Sequence, residues 1–308
     1  SLTYMEVAHS RLTSLARNFV VKYADDQRFD YDDYIPVDGN PDKHPFFKII
    51  ARNNNRMQHL ALLTRFLIME EADGAADIRD VHIIEYIEAY ERPDGIGNWA
   101  MQDMPHAKSV LQNMTAFYDV FKDDRMVKGG DSVQELRIEY FIISMYLLLR
   151  HLRAYYAIDD TERDLFRRFA VDFHQRWRDD KRESDTDILI FSDNRQQTGP
   201  EIEVRDRIVR QAFFGYVKDN GHQMLTKDDR RAFSEAERIW IYRRDNGLCQ
   251  ECLAEGKPQQ EAIVAWKEYE ADHVVPHSAG GPTVVENAQV LCRYHNRLKG
   301  ASVGPSGQ

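Results

Sequence analysis

From the N-terminus to about residue 220, apolar residues recur at three- and four-residue spacing. That is the period of helices with one face turned to a core. The pattern predicts helices over Met5 to Tyr23, Phe46 to Ala72, Val81 to Tyr90, His106 to Phe121, Val133 to Ala157, Thr161 to Arg178 and Glu201 to Tyr216. Breaks containing Asp, Pro or Gly separate them at Pro36 to Pro45, Arg92 to Asn98, Gly129 to Asp131 and Asp193 to Pro200. Tyr140 to Leu149 is apolar almost all round, which suits a buried central helix and is far too short to cross a bilayer. No other membrane-spanning candidate appears.

After Asp219-Asn220-Gly221 the pattern changes. The stretch from Leu225 to Cys252 holds one helix, with Ser234 at the N-cap and Glu237 at capping-box spacing. A loosely alternating run, Glu261 to Trp266, reads as a strand. Pro276 and the Gly280-Gly281-Pro282 turn follow, and Val284 to Cys292 leads into a short basic helix. The chain is therefore expected to be mainly α: an all-helical domain over 1–220 (regulatory or scaffold), a small α+β module over 221–300 and a flexible tail over 301–308.

Charge refines this division. The net charge is −10. From Gly221 onward 11 Lys and Arg stand against 12 Asp and Glu, while the preceding part has 30 against 39. The acidic surface belongs mainly to the helical part, which argues against a broad nucleic-acid face there. That part also shows no P-loop, no G-x-G-x-x-G and no repeat. Asn53-Asn54-Asn55-Arg56, Arg195-Gln196-Gln197 and the scattered His59, His82, His106, His151 and His174 read as packing, capping or solvent-facing residues.

All three cysteines lie in the final module. An odd number cannot pair fully as disulfides, and no secretory signal is evident, so the expected compartment is a reducing cytoplasm. Cys249-x2-Cys252 and Cys292-x2-His295 have the spacing of two zinc knuckles, four ligands closing a structural Zn2+ site. A second set is harder in character: Asp272, His273, Asn287 and Asn296. Strand, loop and helix in this order would converge them on one pocket. Phosphodiester cleavage needs an activated water, a base and a cation against developing charge. His273 suits the base, because an imidazole titrates near neutrality. Asp272 and the amide oxygen of Asn296 suit a hard divalent ion, Mg2+ or Mn2+.

These residues resemble the HNH endonucleases, the ββα-metal fold, in the branch with two zinc knuckles. The pattern runs through Cys249, Cys252, Asp272, His273, Pro276, Ser278, Gly280, Gly281, Asn287, Leu291, Cys292, His295, Asn296 and Lys299. The resemblance implies that His273 is the general base, that Asp272 and Asn296 hold the catalytic metal, and that Asn287 orients His273 or braces the loop. His295 stands where a knuckle cysteine is usual, and Asn296 where a histidine is often found. Arg293, Arg297, Lys299 and Arg244 are candidate contacts to DNA phosphates. More weakly, Asn55 to Gly74, followed by helices and an HNH module, is similar to the C-terminal half of ParB-like-domain restriction proteins. That similarity implies an anti-phage setting, with a nucleotide-using sensor domain ahead of Ser1 and other defence subunits as partners. The expected function is metal-dependent hydrolysis of duplex DNA. The alternatives are an inactive zinc-stabilised nucleic-acid-binding module, or an HNH nuclease acting on RNA or as a toxin.

Overall fold

Two hydroxyl side chains set where the first helices begin. The Thr3 side chain accepts from Glu6 N and Glu6 returns the bond, a capping box that opens α1 (Tyr4–Ala8). Ser14 accepts from Arg17 N and opens α2 (Leu15–Ala24). The single helix expected over Met5 to Tyr23 is thus two, because Ser14 offers the backbone a cap in mid-segment. In this computed structural model the described residues are 2–30, 35–37, 39–93, 100–122, 136–179, 185–227, 232–277 and 281–302. The expected break at Gly129 to Asp131, most of the break at Arg92 to Asn98, the start of the helix expected from Val133, Ser278, Gly280 and residues 303–308 of the expected tail lie outside them.

The chain divides into two compact units, Ser1–His151 with Arg163–His222, and Leu152–Glu162 with Gln223–Gln308. In the first, a short antiparallel pair not anticipated from the pattern, β1 (Arg28–Asp30) and β2 (Ile35–Val37), follows α2. The helix expected over Phe46 to Ala72 is also interrupted, giving α3 (Phe46–Ile49) and α4 (Gln58–Glu71). The asparagine run explains the break. Asn54 Oδ1 accepts from His59 N, and Arg56 and Met57 take the left-handed conformation. Then come α5 (Asp80–Ala89), α6 (Pro105–Phe121), α7 (Glu139–Tyr155) and α8 (Asp160–Asp179). A missed helix, α9 (Thr186–Asp193), is capped by Asp185 and precedes α10 (Gly199–Asp219).

Phe141 to Leu149 is buried on every side of α7, as its apolar run predicts. Phe66 of α4 stacks on Tyr146 of α7. One turn further, the buried Glu70 carboxylate accepts from Tyr146, Asn113, Ser109 and Arg150, so α4, α6 and α7 meet on a satisfied polar group. Among the described residues, no helix is long and apolar enough to cross a membrane.

In the second unit lies α11 (Glu235–Arg244), whose Ser234–Glu237 capping box forms as the spacing predicts. Gly247 follows with φ +65°, and a Cβ there would meet the Tyr242 ring at 2.7 Å, so only glycine fits. It leads to α12 (Gln250–Ala254) and α13 (Gln259–Ala262). The strand expected over Glu261 to Trp266 does not form. Pro258 is the N-cap of α13, and of the remainder only Ile263 makes a bridge, to Leu248. The strand lies later, β3 (Tyr269–His273), and pairs antiparallel with β4 (Ala288–Cys292), Tyr269 opposite Cys292 and His273 opposite Ala288. The basic helix α14 (Arg293–Ser302) continues directly from β4. The module is a ββα unit, with Ile241, Val264, Tyr269, Val290 and Leu291 in its core.

Candidate metal centre and active site

The hairpin register sets the metal centre. Cys292 ends β4, and His295, three residues on, lies in the first turn of α14. Across from them, Cys249 is the N-cap of α12 and Cys252 lies within it, held by Cys249 N→Ala262 O at 2.8 Å. His295 Nδ1 stands 3.3 Å from Cys249 Sγ, 3.4 Å from Cys252 Sγ and 3.4 Å from Cys292 Sγ. The four ligand atoms all lie within 4.8 Å of one another. Tetrahedral zinc bonds imply S···N edges of about 3.6 Å. The donor set and its spacing therefore fit Zn2+, and the sequence-predicted ligands are the ones brought together.

Electrostatics agree with a cation at this point. Burial opposes ionisation of Cys249, yet backbone groups of Cys252 and Cys292 and the His295 ring bring its thiol down to about 7. Burial, reinforced by the Cys249 sulfur, pushes the Cys252 thiol up to about 12. The Cys249 and Cys252 sulfurs do not both ionise readily without a positive ion beside them. Glu255 Oε1 lies 3.1 Å from His295 Nε2, which turns Nδ1 toward the sulfurs. Sequence spacing gave no sign of Glu255.

The hard set is supported by separate contacts. Asp272 and His273 are consecutive on β3, so their side chains leave on opposite faces. Asp272 Oδ2 accepts from Lys299 Nζ at 2.6 Å and from Gln289 Nε2 at 3.2 Å. His273 is buried: its Nε2 lies 2.9 Å from Thr283 Oγ1, and the Phe233 ring packs at 4.7 Å. Asn287 braces the loop. Its Oδ1 accepts from Val275 N, and its Nδ2 donates to Val275 O and Pro282 O. The same loop explains Gly281, where a Cβ would lie 1.9 Å from Val275 O. Asn296 is half-buried on α14, one turn before Lys299 and so on the same helix face.

Of the cations expected to face nucleic acid, two bond oxygens of the protein itself. Lys299 Nζ donates to His273 O at 2.5 Å and Val274 O at 3.3 Å besides Asp272. Arg244 donates to Val285 O and Ala288 O, both at 2.6 Å, and pairs with Asp245, tying α11 to β4. Both lie within reach of polar backbone that charge counting along a sequence does not reveal. Arg293 and Arg297 remain exposed, one helical turn apart.

An antiparallel hairpin running into a helix, with Asp-His on its first strand and a Cys3His cluster around its end, defines a ββα-metal module. Residues 249–302 match the family model of the HNH endonucleases, and the chain carries an HNH domain there. That domain implies a nuclease, a hydrolase acting on nucleic acid. No curated protein and no solved structure matches the chain.

Proposed function

We propose that the chain is a divalent-metal-dependent DNA endonuclease in which His273 is the general base. Water attacks phosphorus and gives a proton to His273, a P–O bond forms, and the P–O3′ bond breaks. The products are a 5′ phosphate and a 3′ oxygen that takes a proton from solvent. Asp272 and Asn296 would hold Mg2+ or Mn2+, which neutralises charge on the phosphate and the leaving oxygen when bound. Asn287 keeps the loop after β3 in register. Zn2+ at Cys249, Cys252, Cys292 and His295 is structural, a closed site with four protein ligands. Arg293 and Arg297 are the phosphate contacts, being exposed and one turn apart.

The observation that carries this reading is the convergence of Asp272 Oδ2 and the His273 and Val274 carbonyls on one cationic group, the Lys299 ammonium. Oxygens so arranged suit a hard cation, and the buried histidine is next in the chain. The helical part, 1–220, is proposed as a regulatory or scaffold domain, since its acidic balance disfavours gripping DNA. A restriction or phage-defence setting in the cytoplasm, with a sensor domain or further subunits as partners, rests on the sequence resemblance.

The test is incubation of supercoiled plasmid, and separately of structured RNA, with the protein in Mg2+, Mn2+ or EDTA. Nicked or linear plasmid with either ion and none with EDTA is expected. Cleavage of RNA alone, or equal cleavage in EDTA, contradicts the proposal.

A further inference from the structure

We propose that Thr283 is the positioning residue of His273, a role that rests on His273 being the base. Thr283 is fully buried, and its hydroxyl lies 2.9 Å from His273 Nε2. A hydroxyl out of water requires a protein partner, and a threonine oxygen both donates and accepts. It can therefore stay bonded to the ring before and after the ring takes a proton.

Two contacts then fix the imidazole in different ways. Phe233, with its ring centroid 4.7 Å away and tilted 34°, sets the plane of the ring. Thr283 sets which edge faces inward, because a half-turn about the Cβ–Cγ bond would place a ring carbon against its oxygen. Packing alone does not distinguish the two edges. A base that presents the wrong edge to water does no chemistry.

The loop carries this constraint to Asn287. Asn287 Nδ2 donates to the carbonyl of Pro282, the residue before Thr283, and also to Val275 O beyond the end of β3. Both sides of the Thr283–His273 contact are thereby held by one amide. Asn287 acts on His273 through the segment that bears Thr283.

The experiment is plasmid nicking by the full chain in Mg2+ at varied DNA concentration, comparing wild type with Thr283→Ser, Thr283→Ala, Thr283→Val and His273→Ala. Alanine and serine both remove the methyl and differ only in the hydroxyl; valine keeps the volume and removes the hydroxyl. Thr283→Ala and Thr283→Val should lower kcat roughly ten- to a hundred-fold, part of what a general base contributes, with KM unchanged. Thr283→Ser should stay within about threefold of wild type, since the bond to the ring is kept. Wild-type kcat in the alanine and valine variants, with His273→Ala inactive, overturns the role of Thr283 and leaves the base intact. Wild-type kcat in His273→Ala overturns the base itself. Should the valine and alanine variants fail to fold, Thr283→Ser decides: a rate near wild type supports the hydroxyl, and a hundred-fold loss overturns it.

Discussion

Glu70 is a carboxylate with 3% of its side chain exposed, yet it accepts four hydrogen bonds from two neighbouring helices. A buried charge survives only when so satisfied. Glu70→Ala would remove the acceptor shared by Ser109, Asn113, Tyr146 and Arg150 and leave Arg150 to Asp73 alone, and a loss of roughly 1–3 kcal/mol is expected from denaturant midpoints. His59 makes a pH-dependent contribution. Burial, with Lys43 Nζ donating to its Nδ1 at 3.0 Å, holds the imidazole at about 4, and its Nε2 bonds Arg52 O. The folded state refuses a proton that the unfolded chain accepts near its ordinary value. The stabilisation is therefore full above about pH 6.5 and is lost as pH falls toward 4, by on the order of 3 kcal/mol. Urea midpoints should drop over that window in wild type and drop less in His59→Gln. An equal drop in both contradicts the assignment.

Among the elements, what the sequence revealed depended on the range of the cause. The Cys3His cluster was legible because two short spacings, Cys249-x2-Cys252 and Cys292-x2-His295, carry the geometry with them. The helices were legible wherever an apolar face repeats, as in α6 and α8. Their interruptions at Ser14 and Asn54 were not, since a cap is one side chain and does not alter the period. The first strand was placed too early, because Glu261 to Trp266 alternates while β3, YEADH, does not look apolar. What makes β3 a strand is its partner β4, a contact made across fourteen intervening residues. Thr283, Glu255 and Gln289 escaped notice for the same reason: each acts on a functional residue distant in sequence or across a loop. The Cys3His cluster, the proposed zinc site, joins α12, β4 and α14, elements too short to be stable alone. Cys249→Ser should therefore lose bound zinc and the folded dispersion of the second unit in NMR spectra, while the helical unit keeps its far-UV signal. A zinc-free variant with native dispersion and full nicking activity would refute the structural role.

For the molecule as a whole, charge and chemistry are distributed unequally. The acidic excess lies before residue 221, and the HNH domain occupies residues 249–302 near the other end. The proposed base is one imidazole in that domain, buried against Phe233 and within hydrogen-bond distance of Thr283, next to an aspartate whose Oδ2 accepts from the Lys299 ammonium. The most direct measurement is the nicking rate of supercoiled plasmid in Mg2+ by wild type and His273→Ala, with zinc content and circular dichroism recorded on both. Unchanged zinc and fold with a rate loss of at least about a hundred-fold is predicted, the usual contribution of a general base. A His273→Ala variant that nicks DNA at the wild-type rate would exclude His273 as the base.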